Sequence, residues 1–251
     1  MAISIAMVML GDGVKLSLIE IQRDLAANWS NLPPATDLEK KDLTLSFSLG
    51  DSQVILGLMP APIPWKELEG PCVTSWLWPE AAEKVRAHKK HLIVTVLSEE
   101  SPLDRARLLT QVVAAIVGTC PAALGVYWGD ATLVISSPVF REFAINVLPE
   151  GPPIHVWVDL RAGKNKNGRT SGFTTGLKAL GLMEFETSTA GESPGDLRER
   201  FVALASYLLE NGPVIRDGDT VGEDANERIR VVYAPSAFGK PERVMRLDYG
   251  R

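Results

Sequence analysis

LTLSFSLGDSQVILGLM (43–59) is the stretch that decides the fold. Two apolar runs, 43–49 and 53–59, flank Gly50-Asp51-Ser52. Alternation interrupted by a Gly-Asp turn is the signature of a β-hairpin. Upstream, Leu18, Ile21, Leu25 and Trp29 recur at helical spacing and predict an amphipathic helix over 15–29. Asn31-Leu32-Pro33-Pro34 ends it, because proline removes a donor and disfavours helical geometry in the preceding residue. Before that helix, ISIAMVM (3–9) reads as a buried strand that stops at Gly11-Asp12-Gly13. Downstream, 60–79 reads as an ordered loop rich in proline and carrying Trp65, Trp76 and Trp78. A helix over 80–90 and a strand LIVTVL (92–97) complete the order β-α-β-β-α-β. That order is the split, ferredoxin-like arrangement.

The pattern then continues. Ser101 can cap a helix, Pro102 suits its first position, Asp104 suits the dipole, and Gly118 is placed to end it. Strands are expected near 123–128 and 132–135, a short helix near 138–146, and a strand IHVWVDL over 154–160. Beyond a basic, glycine-rich loop (161–172) come a short helix near 174–180, a strand over 182–186 and a surface loop over 189–196. Leu197, Phe201, Leu204 and Leu208 mark a helix over 196–210, and strands near 228–233 and 243–248 follow. No low-complexity linker divides these segments. The reading is a single α+β body over 1–251 with mixed sheets, built from sub-units 1–99 and 100–251.

Composition narrows the function. The 251 residues are 45% hydrophobic and carry a net charge of −5, which argues against nucleic acid as a partner. The absence of a long uncharged apolar run argues against a membrane span. The N-terminus has no basic residue ahead of its apolar stretch, as a signal peptide requires, and Cys72 and Cys120 make no metal or disulfide framework. The expected setting is the cytoplasm, with no cofactor.

Several motifs have spacings that bear on chemistry. Gly163 to Thr170 nearly matches the phosphate loop, which would bring Lys164, Lys166, Gly168, Arg169 and Thr170 to a nucleotide. Arg169 replaces the usual lysine, and the alternative is a hydrated surface loop. Gly11-Asp12-Gly13 lacks the third glycine of a dinucleotide fingerprint, where Leu16 stands. His88 and His91 have the spacing of metal ligands but are separated by Lys89 and Lys90, and His155 fits a half-buried sheet position. Asp217, Asp219, Glu223, Asp224 and Glu227 form an acidic stretch without the ligand spacing of a calcium loop. No serine or cysteine nucleophile motif is present, although carboxylates such as Asp159 and Glu184 could meet in space without leaving a mark in sequence.

Three stretches carry a family resemblance: GVYWGDATLVISSPVF (125–140), TTGLKALGLMEFE (174–186) and DGDTVGEDANERIRV (217–231). Together they resemble the bacterial domain-of-unknown-function 4261 family, from about residue 120 to the C-terminus. Leu180 and Met183 depart from the family pattern, where an aromatic residue and a proline are expected. The resemblance implies a bacterial, cytosolic α+β protein and brings no catalytic residues. It also suggests an immunity partner of a secreted toxin, delivered by type VI secretion or a similar route. The expected function is therefore stoichiometric protein binding, with the acidic residues named above and Trp65, Trp76 and Trp78 as contacts. The alternative is a phosphate-binding enzyme using the 163–170 loop.

Overall fold

The computed structural model describes residues 1–222 and 227–250, so Glu223 and Asp224 of the acidic stretch lie outside the described residues. The protein is α+β, and it divides into two compact units, Met1–Val156 and Trp157–Arg251. The division expected near residue 99 would cut through a sheet.

The first unit contains β1 (Ala2–Leu10), α1 (Leu18–Asn28), β2 (Ala35–Lys41), β3 (Thr44–Leu49), β4 (Ser52–Met59), α2 (Trp65–Thr74), α3 (Ala81–Val85), β5 (Lys90–Ser98), α4 (Pro102–Thr119), β6 (Ala123–Trp128), β7 (Leu133–Ser136) and α5 (Ser137–Asn146). The strands form one antiparallel sheet in the order β2-β3-β4-β5-β1-β6-β7. The hairpin forms as read, with Leu49 opposite Ser52. The ferredoxin-like order does not. That arrangement would place β1 between β4 and β5, whereas β5 pairs directly with β4 from Gln53↔Leu97 to Met59↔His91 and with β1 along its whole length. The split unit falls one step later, where β5 and β6 run parallel on either side of β1 and α4 connects them.

Sequence reasoning also missed β2. Its residues ATDLEKK are polar and almost all exposed, as suits an edge strand that must not recruit another chain. The presumed loop 60–79 contains α2, in which Leu68 and Cys72, one helical turn apart, are buried in spite of the internal Pro71. Gly118 is not a terminator. It lies inside α4, where a Cβ would come within 2.1 Å of the Arg141 guanidinium. Arg141 uses that space to pair with Asp24 of α1 at 2.7 Å and to reach the Ala114 carbonyl, tying α5 to α1 and α4. Ser17 and Ser101 cap α1 and α4 through their hydroxyls.

Instead of a strand over 154–160, Pro152 and Pro153 lead into one helical turn, α6 (Ile154–Trp157). The second unit then contains β8 (Asp159–Lys164), β9 (Thr170–Thr175), β10 (Phe185–Ala190), α7 (Pro194–Asn211), β11 (Thr220–Val221), β12 (Ile229–Pro235) and β13 (Arg243–Asp248). Their sheet order is β11-β12-β13-β10-β9-β8, with β10 and β13 parallel and the other pairs antiparallel. The helix expected near 174–180 is the end of β9 followed by a 3-10 turn over Leu177–Leu180. A capping box between Ser193 and Asp196 starts α7, whose Leu197, Phe201 and Leu208 are buried. No helix of the described residues is long and apolar enough to cross a membrane.

Candidate functional site

Side chains alternate across a strand, so Ala6, Val8 and Leu10 share one face of β1, and Ile3, Ile5, Met7 and Met9 share the other. The first face is fully buried beneath α4. On the second, Met9 packs with Leu68, Cys72, Trp78, Ala81, Val85 and Val134, so α2 and α3 cover the end of the sheet toward β6 and β7. The cover stops there. Ile5 is 40% exposed and Ile3 59% exposed, although β5 pairs with both residues. Their cross-strand neighbours Thr95 and Leu97, and Ile55 beyond Thr95, are only half-buried. An apolar patch therefore lies open on β1, β5 and β4, at the end of β1 that β6, which pairs only with Met7–Leu10, leaves as an edge. The signal in the sequence was that both faces of the strands at 3–9 and 92–97 are apolar. The sequence reads 3–9 as a buried strand and 92–97 simply as a strand.

The three tryptophans separate. Trp78 belongs to the core, and its ring lies 2.6 Å from where a Cβ on Gly125 would stand. Trp65 is half-buried, with the Arg86 guanidinium 3.6 Å from its ring centre. Only Trp76 is free to meet a partner, at 51% exposure, with Val73 beside it in sequence at 75%. The edge of Trp76 rests on the His155 ring, whose pKa burial lowers.

In the second unit, the chemistry of the TTGLKALGLMEFE segment is directed inward. Phe185 packs on Phe201 of α7. The two flanking acids are buried and fully used. Glu184 accepts the Thr174 hydroxyl at 2.7 Å and the N–H groups of Gly176 and Lys178 at 2.8 and 3.1 Å. Glu186 accepts the Ala237 N–H at 2.8 Å and the Ser236 hydroxyl. Gly176 and Gly181 have φ of 121° and 86°, conformations that require glycine at both ends of the 3-10 turn. Glu184 lies close enough to Asp159 for its charge to act on that carboxyl. Burial raises the Asp159 pKa, the Arg161 ion pair and Lys240 oppose the rise, and Glu184 adds to it. Lys240 donates to the Thr174 carbonyl and the Thr175 hydroxyl at 2.7 and 2.8 Å. These groups hold β9, β10 and the loop before β13 together.

The loop at 163–170 is the tip of the β8-β9 hairpin, with Gly168 at a positive φ of 73°. No helix follows, so the helix N-terminus on which a phosphate loop depends is missing. Lys164 donates to Thr170, which is itself fully buried and bonded to the Glu192 carbonyl, while Lys166 and Arg169 are exposed. The acidic residues are also engaged. Asp217 accepts the Tyr233 N–H and Asp219 that of Arg216, both at 2.7 Å. Glu227 and Glu192 clamp Arg200 at 2.9 and 3.0 Å. Burial works against the Arg200 charge, but these hydrogen bonds outweigh it and raise the pKa. Among the described residues, no three His, Cys, Asp or Glu side chains gather to hold a metal ion.

Residues 173–248 match the model of DUF4261, a domain of unknown function. The match lies within the second unit and takes in two of the three resembling stretches; the third, 125–140, forms β6, β7 and the start of α5 in the first unit. No curated protein and no solved structure matches the chain.

Proposed function

We propose that this is a non-enzymatic binding protein that receives another protein on the open face of β1, β5 and β4. The observation that carries the reading is the exposure of Ile3 and Ile5 beside the half-buried Thr95, Leu97 and Ile55, at the end of β1 that β6 does not pair. A contiguous apolar patch is unfavourable on a surface that only meets water, and such patches are characteristic of interaction sites. Trp76 and Val73 supply a second exposed apolar group. In its most specific form, the partner is a secreted bacterial toxin that the protein neutralises by occlusion in the cytoplasm.

Co-purification of the adjacent gene's product with the full chain tests the proposal. The expected result is a stable complex that weakens about tenfold or more in Ile5→Glu, with the circular dichroism spectrum unchanged. An equally tight complex with Ile5→Glu would refute the surface. A neighbouring toxin that neither binds nor is neutralised on co-expression would refute the immunity role.

A further inference from the structure

We propose that the first unit carries a binding site for a small organic carboxylate, in a cleft bounded by the end of α1, the first turns of α4 and the β3-β4 hairpin. The cleft has a volume of about 580 Å³, within the range of small-molecule sites. Trp29, Leu108 and Leu148 form apolar wall, and Arg107 and Gln111 contribute polar groups.

The argument is an account of donors and acceptors. Arg107 makes no ion pair or side-chain hydrogen bond among the described residues, and its Nε is closed off from solvent without an acceptor. Gln111 stands four residues further along α4, on the same side of the helix. It is only 6% exposed and its amide has no partner among the described residues. Trp29 is 4% exposed, and its indole N–H also lacks an acceptor. Buried polar side chains in folded proteins are nearly always paired, so the unpartnered amide of Gln111, beside the unpartnered Arg107 guanidinium on the cleft wall, points to a missing acceptor.

The charges then select the ligand. A guanidinium has donors only, and its planar fork matches a carboxylate. Asp104 does not fill this role: it accepts the Ser101 hydroxyl at 2.6 Å and makes no ion pair with Arg107 among the described residues. With Glu100 it also places negative charge at the cleft, which disfavours polyanions such as nucleoside triphosphates. A monoanion with an apolar body meets all three conditions. Arg107 and Gln111 would bind its carboxylate, while Trp29 and the leucines would cover its body.

The test is a titration of the ¹⁵N-labelled full chain with benzoate, with benzamide as the neutral equivalent and inorganic phosphate as the competing oxyanion. The Arg107 Nε–H, Gln111 amide and Trp29 indole resonances report binding. The expected result is a saturable benzoate shift at these signals with Kd below about 1 mM, and about tenfold weaker binding of benzamide and phosphate. Arg107→Lys and Gln111→Leu should each weaken benzoate binding. No saturable shift, or equal binding of benzamide by the unaltered protein, would overturn the proposal whether or not the variants fold. Tighter binding of phosphate would overturn the carboxylate assignment.

Discussion

Replacing Glu184 by leucine should destabilise the second unit severely. The carboxylate is buried and accepts three hydrogen bonds, from the Thr174 hydroxyl and the Gly176 and Lys178 N–H groups. A hydrogen bond to a charged group contributes about 1.5–3 kcal/mol, and leucine would leave the Thr174 and Gly176 donors buried without an acceptor and the part-buried Lys178 N–H without its partner. The three terms do not add fully, since the donors share one partner and can shift together, so the expected loss is about 3–5 kcal/mol. Glu184→Gln separates hydrogen bonding from shape. Its carbonyl can still serve both backbone donors, but its NH₂ would face Thr174, whose oxygen already accepts the Phe185 N–H at 2.8 Å. Two donors would then point at one hydroxyl, and its own proton would have to find another acceptor. A smaller loss of about 1–2 kcal/mol follows. Urea unfolding followed by circular dichroism measures both values, and amide exchange at Gly176 and Lys178 locates the effect. A leucine variant within about 0.5 kcal/mol of the parent would refute this account of the segment, as would a glutamine variant as unstable as leucine.

Two further outcomes follow from the first unit. Gly125→Ala would place a methyl group 2.6 Å from the Trp78 ring and 2.8 Å from the Ile135 carbonyl, so a loss of about 1–3 kcal/mol is expected in thermal or urea unfolding, and unchanged stability would refute the close approach. His88 accepts the Ile63 N–H at Nε2 and faces the Val85 carbonyl through Nδ1, an arrangement that suits the neutral ring. Burial lowers its pKa from 6.5, and His155 shifts in the same direction for the same reason. Below 6.5 the unfolded chain takes up protons that the folded chain resists, so stability is full above that pH and declines as the pH falls toward the lowered values. A urea midpoint that stayed level through this window would refute the buried neutral histidines.

What was legible in the sequence was local. The 43–59 hairpin, the stripes of α1, α4 and α7 and the cap at Ser101 depend on neighbours a few residues away, and all formed as read or close to it. Gly181 was legible as a left-handed terminator for the same reason. What failed was long-range or polar. Nothing near Gly118 in sequence announces that Arg141 will lie on it, and the charged edge strand β2 carries no hydrophobic period. The order of the sheet depended on whether β5 would pair with β1 alone or with β4 as well, which alternation within either strand cannot decide.

The candidate surface was hidden by a related cause. Ile3 and Ile5 are indistinguishable from core residues by type, but β6 pairs only with Met7–Leu10, so the end of β1 that holds them is an edge. They are exposed because α2 and α3, which connect neighbouring strands β4 and β5, do not lie above that pair but pack over β6 and β7. Of the residues that sequence reasoning favoured as contacts, Trp78 fills the space left by Gly125, and Asp217, Asp219 and Glu227 satisfy donors within their own unit, while Asp217, Asp219 and Trp76 remain exposed. Charged and aromatic side chains are as useful for closing a fold as for meeting a partner, so residue type alone does not separate the two uses. The position of the covering helices does, and it makes the exposed β1 face, rather than the acidic stretch, the surface on which a partner should first be sought.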